Sequence, residues 1–438
     1  LATAGRDAEA KQAYVGLLRA EPKNAAALLE LAALAAASGH RSAARTACRQ
    51  AVALDPRDAI ARVQLAHLLR DDGEFEPARD HYLAALAAAP GIAVAHQGLA
   101  WVFEALGNDA LAASHRQLGF AGNAVVTRAY RGQGDATPLL LLVSARNGNI
   151  PLQGWIDDRH FALTAIYTEF YTPTQPLPPH ALVVNAIGDA ELCGEALAAA
   201  EAILARSTAP VINLPARVRE TSRADNARRL RGTPGVITPK IQRLQRAAVP
   251  GPEKFDYPLL VRAPGFHTGQ HFMRVEHSGA FAATIADIPG AEILAIQYLD
   301  ARGADGMARK YRVMFIDGVA YPLHLAVSAD WKVHYFSAAM AENARLREEE
   351  RKFLTDMPTA LGATAMAALN IINQTLGLDY AGIDFGLDPA GRLLVFEANA
   401  TMAIVPPNPD PIWDYRRPPI NRARDARTEM LKKRPLKR

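Results

Sequence analysis

Three oxygen-bearing residues near the end of the chain have the spacing of a divalent-cation site. Gly382–Gly386 (GIDFG) and Leu393–Asn399 (LLVFEAN) read as strands, and Asp388–Gly391 (DPAG) between them reads as a hairpin turn. Alternation along a strand puts Glu397 and Asn399 on one face, and pairing of the two strands can bring Asp384 beside them. Two carboxylates and an amide oxygen are hard donors suited to Mg²⁺, with phosphate oxygens completing its octahedron. Apolar Ile383, Val395 and Phe396 place this strand pair in a core. Upstream, Tyr257–Gly269 (YPLLVRAPGFHTG) is an apolar strand that delivers Arg262 and then a loop carrying Gly265, His267, Thr268 and Gly269. An arginine on a buried strand needs an anion to offset its desolvation, and backbone N–H groups of a glycine loop can cover phosphates. A further strand, Ile293–Leu299, runs through Gln297, Tyr298 and Leu299 to Asp300, and Lys310 and Arg312 share a face of a strand that turns at Gly318.

The first 123 residues are built differently. Pro22, Pro56 and Pro90 recur every 34 residues, as do Gly39, Gly73 and Gly107, Ala44, Ala78 and Ala112, and Leu31, Leu65 and Leu99. Small residues at fixed places let paired helices approach, glycine makes the turn between them, and proline ends the second helix. The pattern resembles the tetratricopeptide repeat, which implies a stacked helical solenoid that binds a peptide or protein partner. Cys48 and Arg116 stand where Tyr14 and Tyr82 supply an aromatic, and Arg116 is expected on a solvent-facing terminal helix. Ala124 follows the last unit where a proline would stand.

Residues 124–215 change texture to short apolar runs. Leu139–Val143, Phe161–Tyr167 and Ala181–Val184 read as strands, Leu192–Arg206 as a helix, and Pro210–Leu214 as a returning strand, a pattern of small parallel sheets. Asn147–Asn149 (NGN) and Gly188-Asp189 sit just after strands, where open α/β sheets place ligands, but taken alone they read better as tight turns. These strands lack a GxGxxG, so a dinucleotide site is not supported.

In order, the parts over about 140–415 resemble the ATP-grasp superfamily, in the branch of carboxylate–amine ligases that includes glutathione synthetase, D-alanine–D-alanine ligase and ribosomal-protein glutamate ligase. The resemblance implies a multidomain chain: an all-α repeat solenoid (1–123), an α/β pre-grasp domain (124–215) and an α+β ATP-grasp domain (216–415), ending in a basic tail (416–438). It implies ATP and Mg²⁺ as cofactors, with Asp384, Glu397 and Asn399 holding the metal. Gln297, Tyr298 and Leu299 would form the adenine hinge, Asp300 or Asp305 would accept ribose hydroxyls, and the loop of Gly265, His267, Thr268 and Gly269 would cover the phosphates. Arg312, with Lys310 beside it, would face the transferred phosphoryl group. Arg262 and Arg223 stand where these enzymes carry lysine, a broad planar fork in place of a point charge. After Asn399 the chain continues ATMAIVPP, where the family often has proline and glycine.

The implied activity is ADP-forming ligation of a small-molecule or peptide carboxylate to an amine through an acyl phosphate. Two other readings use the same residues: a phosphotransferase acting on a hydroxyl, and a non-catalytic scaffold whose repeats do the work. His324, Lys332 and His334 are candidates for an acceptor site, and Glu342–Lys352 reads as a solvated helix with a Glu348–Lys352 pair.

Composition narrows the alternatives. The chain has 438 residues, half of them hydrophobic and 21% charged, which is globular, and its apolar runs are too interrupted to span a membrane. Two cysteines, Cys48 and Cys193, without a CxxC argue against a disulfide framework or structural zinc and fit a reducing cytoplasm. Positions 416–438 hold ten Lys/Arg against two acidic residues, so this segment alone carries +8 of a whole-chain +4 and the body is acidic. A solvated tail is expected there, and with no aromatics interleaved beyond Tyr415 it does not read as a nucleic-acid clamp. The chain begins at Leu1 instead of methionine, which leaves room for an upstream segment.

Overall fold

The computed structural model describes residues 6–152, 155–246, 255–264, 271–333 and 340–436. Its contacts divide the chain into two units, Leu1–Asn147 with Asp157–His180, and Gly148–Ile156 with Ala181–Arg438. None of the described helices is long and apolar enough to cross a membrane.

Seven helices open the first unit: α1 (Asp7–Ala20), α2 (Ala25–Ala37), α3 (Arg41–Leu54), α4 (Ala59–Asp71), α5 (Phe75–Ala88), α6 (Ala93–Ala105) and α7 (Asp109–Phe120). The 34-residue period maps onto helix pairs, as expected. Gly39, Gly73 and Gly107 follow α2, α4 and α6 with φ of +81°, +80° and +74°, a conformation that a Cβ would strain. Ala44, Ala78 and Ala112 are buried where the paired helices meet. Asn24 and Asp58 cap α2 and α4 by accepting backbone N–H bonds, whereas Ile92, one period on, provides no such cap to α6.

One pair of contacts explains where the aromatic position of the repeat is kept. Tyr82 is completely buried, and a Cβ on Gly98 would stand 2.2 Å from its Cζ, so glycine is what makes room for the ring. One period earlier Cys48 replaces the tyrosine and Gln64 replaces the glycine, and the long amide fills the space toward the small thiol, with Oε1 4.0 Å from Sγ. Each repeat thus conserves volume through a different pair of residues.

Beyond α7 the first unit continues with strands β1 (Val125–Thr127), β2 (Thr137–Val143) and β3 (Phe161–Tyr167), β3 pairing in parallel with β2 and antiparallel with β1. Phe120 packs on Tyr167 and Phe170, and the Trp101 indole N–H donates to the Ala145 carbonyl at 2.9 Å. Glu104 accepts from Arg146, from the Asn147 backbone and from Arg116. This corrects the expectation for Arg116: its side chain is only 12% exposed and pairs with Glu104, because α7 is followed by packed structure instead of ending the repeats in water.

The second unit contains β4 (Leu182–Asn185), α8 (Gly194–Leu204), β5 (Val211–Ile212), α9 (Pro215–Arg219) and α10 (Arg223–Arg229), with β4 and β5 parallel. Two sheets follow. The first has the order β7 (Ile241–Gln245), β10 (Glu292–Gln297), β8 (Leu259–Arg262) and β9 (Phe272–Val275), antiparallel throughout, with α11 (Phe281–Ala286) contributing to its core. The second has the order β12 (Val319–Ser328), β11 (Ala308–Ile316), β13 (Tyr380–Leu387), β14 (Leu393–Asn399) and β6 (Val236–Ile237), with only the β14–β6 pair parallel. Helices α12 (Ala344–Thr355) and α13 (Met357–Leu376), the latter interrupted at Gly362, precede the β13–β14 hairpin. The fold class is the expected one, helical repeats followed by α/β and α+β parts.

The C-terminal segment departs from expectation. Arg417–Lys433 forms helix α14, whose Ile420, Ala423, Met430 and Leu431 are buried, so the described part of the segment expected to be a solvated tail (416–436) is packed structure. Apolar residues at helical spacing among the arginines create an amphipathic face that the charge total concealed. Nor is α12 solvated all round. Glu350 is 0% exposed and accepts from the Leu325 backbone, from the Tyr415 hydroxyl and, at 2.9 Å, from Arg416 Nε, itself buried beneath Trp413. Burial pushes the Glu350 carboxyl up, opposed by Arg416. On the exposed side, Glu348 pairs with Arg351.

Gly98→Ala is expected to destabilise the chain by about 1–3 kcal/mol through overpacking against Tyr82. Tyr82→Cys in the same chain should restore part of the lost midpoint in thermal denaturation. Equal midpoints for wild type and Gly98→Ala would show that the ring has other room.

Candidate active site

Four strands of the second sheet line up one row of side chains. Glu397 on β14 is paired with Asp384 on β13, Asp384 with Arg312 on β11, and Arg312 with His324 on β12. The ladder is irregular at two places in this row, between Arg312 and Val313 and between Asp384 and Phe385. At those irregularities Leu323 and Phe396 are the extra residues, and both join their neighbours His324 and Glu397 in lining a cavity of about 480 Å³. The cavity is walled by residues of both sheets of the second unit.

Asp384 is 4% exposed and doubly held. Arg312 donates to it through Nε at 2.6 Å and Nη2 at 2.8 Å, and Lys310 Nζ stands 3.3 Å from the same carboxylate. Burial pushes its carboxyl up, but the two cations outweigh this and hold it well below the usual carboxylate range. The opposite balance applies to Arg312, which burial lowers and Asp384 raises more strongly. Glu397 accepts from Arg223 at the start of α10 and from Asn399 Nδ2 at 2.9 Å. Arg223 also donates to Glu191 at 3.0 Å. The Asn399 carbonyl oxygen accepts from the Thr401 backbone and hydroxyl. Behind this row, Gly382 is required: a Cβ there would meet the sulfurs of Met402 at 2.5 Å and Met314 at 2.7 Å, because the chain after Asn399 passes directly over it.

From the first sheet comes Arg262, 6% exposed, whose guanidinium lies over the Phe272 ring. Burial, reinforced by Arg223, pushes it down to about 10. Lys332 donates to the Phe272 carbonyl at 3.2 Å, and burial together with Arg262 lowers its ammonium. Gln297, Tyr298 and Leu299 line the cavity as expected, with Gln297 fixed by accepting from the Lys240 backbone at 3.1 Å.

Two expected residues are placed elsewhere. Asp300 and Asp305 are not part of the cavity wall: Asp300 pairs with Arg302, and Asp305 with Arg309, which also reaches Glu349. Both carboxylates bond the backbone two residues on and so close their own loop. Gly265, His267, Thr268, Gly269 and His334 lie outside the described residues. The wall also includes residues that the motif reading passed over, among them Phe272, Trp331, Thr401 and Met402. Asn149, from the segment read either as a ligand-side loop or as a tight turn, lines it too.

No family model matches the sequence, and no curated protein matches it. Among solved structures the chain is similar to MamA, at 26% identity over 26% of this chain and 68% of that one, with a TM-score of 0.26. It is also similar to D-alanine–D-alanine ligase from Bacillus anthracis complexed with ATP, at 12% identity over 69% of this chain and 97% of that one, with a TM-score of 0.43. A second structure of that ligase gives 13% identity, 69% and 98% coverage, and 0.43. These are partial likenesses of fold, and the site is read from its own geometry.

That geometry has a clear charge imbalance. Arg223, Arg262, Arg309, Lys310, Arg312 and Lys332 line the cavity, against the two carboxylates of Asp384 and Glu397. Arg309 is compensated outside the wall by Asp305 and Glu349, and Arg223 is shared with Glu191, also outside it; a smaller cation surplus remains, suited to an anion. Among the described residues no group of three or more His, Cys, Asp or Glu is placed to hold a metal. Asp384, Glu397 and Asn399 carry the oxygen donors that a hard divalent ion takes, with the two carboxylates held by Arg312 and Arg223 and the Asn399 amide oxygen accepting from Thr401.

Asp384→Asn is expected to cost about 3–5 kcal/mol of stability at neutral pH, because Arg312 and Lys310 are left without their buried counter-charge. Since the folded-state pKa of Asp384 is depressed, its contribution is present above the unfolded value of about 4 and fades as pH falls below it. The gap in thermal midpoint between wild type and variant should therefore hold from pH 7 to 5 and narrow only in stronger acid. A gap that closes between pH 7 and 5 would contradict this assignment.

Proposed function

We propose that the chain is an ATP- and Mg²⁺-dependent carboxylate–amine ligase, with its helical repeats docking a peptide or protein substrate or partner. The observation that carries this reading is the row of Glu397, Asp384 and Arg312 on the floor of a cavity whose walls hold a surplus of cations. A nucleoside triphosphate supplies the anion these cations need. Its base would lie at the apolar end, near Leu260, Ile296 and the Gln297–Leu299 segment.

In the reaction, a carboxylate oxygen of the acid attacks the γ-phosphorus and the bond to the β–γ bridging oxygen breaks, with ADP leaving on that electron pair. The acyl phosphate that forms is then attacked at its carbonyl carbon by the amine, and inorganic phosphate departs as the amide forms. Arg312 and Lys310 would neutralise charge on the transferred phosphoryl oxygens, while Arg262 and Arg223 would hold the polyphosphate in line. Asp384, Glu397 and Asn399 would hold a magnesium ion, which when bound would supply charge neutralisation at the phosphates. No side-chain nucleophile is needed in this scheme, and among the described residues the cavity wall includes no serine or cysteine.

Hydroxylamine trapping separates this reaction from its rivals. With ATP, Mg²⁺ and a mixture of amino acids and short peptides as candidate acids, a hydroxamate should accumulate together with ADP and free phosphate in equal amounts. Arg312→Ala should reduce that rate by at least about a hundredfold, as removal of a preorganised charge stabiliser does elsewhere. A stable phosphoester without hydroxamate would make the protein a phosphotransferase, and nucleotide binding without turnover would leave the repeats as the working part.

A further inference from the structure

The carboxylates assigned to the metal are already occupied by the protein's own cations. Both oxygens of Asp384 accept from the Arg312 fork, and Lys310 approaches the same group. Glu397 accepts from Arg223, which is shared with Glu191. Each of these three cations also lines the cavity in which the nucleotide reading places a polyphosphate, so each has two alternative anionic partners within reach.

A dication brought to Asp384 in the nucleotide-free protein meets Arg312 and Lys310 on the same carboxylate, with Arg223 on the neighbouring one. Repulsion from three cations in a largely buried row opposes its entry. A triphosphate changes the sign of that environment. Guanidiniums that turn toward phosphate oxygens relinquish carboxylate lone pairs, and the phosphate charge then favours the metal.

We infer that Arg312 and Arg223 are placeholders for the metal, neutralising Asp384 and Glu397 until a nucleotide draws them away, so that divalent-cation binding depends on prior nucleotide binding. This rests on the nucleotide reading of the cavity. It adds an order of events: the metal-free nucleotide enters on the strength of the cation surplus, and the metal follows. By linkage, the metal then tightens the nucleotide by the same factor.

The test uses Mn²⁺ as a paramagnetic probe of the full chain, with free Mn²⁺ measured by electron paramagnetic resonance and a non-hydrolysable β,γ-imido analogue of ATP present or absent. Wild type should bind Mn²⁺ at least about tenfold more tightly with the analogue than without it. Arg312→Gln uncovers Asp384, so Mn²⁺ binding without the analogue should rise and the coupling should shrink. Arg312→Lys, which keeps the charge and loses the fork, should fall between. Arg223→Gln repeats the experiment at the more exposed Glu397 and serves if Arg312→Gln does not fold. Asp384→Asn should weaken Mn²⁺ binding in both states. Equal wild-type affinity for Mn²⁺ with and without bound analogue would overturn the placeholder role and leave the nucleotide reading standing, as would wild-type coupling in both Gln variants. Failure of the analogue to bind at all would remove the nucleotide reading and the inference together.

Discussion

The ion pair between Asp384 and Arg312 is the constraint on which the rest of the site depends. A carboxylate on a central strand, almost without solvent, survives in its charged form only if a cation meets it with matching geometry. Register across β11 and β13 supplies that cation directly opposite, and the next strand supplies His324, whose imidazole burial keeps neutral. The consequence is a floor of charges whose strand positions are set by backbone pairing instead of by flexible loops.

That floor is closed from behind by parts of the chain that carry none of the chemistry. Glu350 and Arg416 bind the C-terminal segment to α12, while α14 contributes Ile420 to the cavity wall. Asn213 ties the end of β5 to the start of β13, donating through Nδ2 to the Tyr380 carbonyl and accepting from its N–H. Asn226 on α10 donates to the Ala398 carbonyl, which fixes the helix bearing Arg223 against the strand bearing Glu397. Asn213 and Asn226 are buried amides that donate to backbone of a distant segment, and such bonds specify position more than they add stability.

How much of this was legible in the sequence follows from the range of each interaction. The repeats were readable because a 34-residue period is written in residue types, and a left-handed turn or a close helix contact tolerates few of them. Asp384, Glu397 and Asn399 were readable because alternation along a hairpin is local. Phe396 and Leu323 were not, since each is an extra residue at an irregularity in the ladder, where the strict two-residue alternation fails. Asp300 or Asp305 was offered for ribose by the resemblance alone, whereas in the fold each pairs with an arginine two or four residues away. The C-terminal helix was misread because summed charge hides an apolar stripe. In a segment with ten basic residues, Ile420, Ala423, Met430 and Leu431 suffice to bury one face.

The same logic bears on why positions 223 and 262 hold arginine. A lysine ammonium can satisfy one anion at a time at close range, whereas the guanidinium of Arg223 contacts Glu191 and Glu397 through different nitrogens. A fork can therefore stay anchored on one carboxylate while its other edge exchanges a second carboxylate for a phosphate. Arg262 has a different constraint: it packs over Phe272 with its charge depressed by burial, and a planar, weakly hydrated cation tolerates that setting better than an ammonium does. At both positions a planar guanidinium gives the cavity a cation whose orientation is already defined by its neighbours.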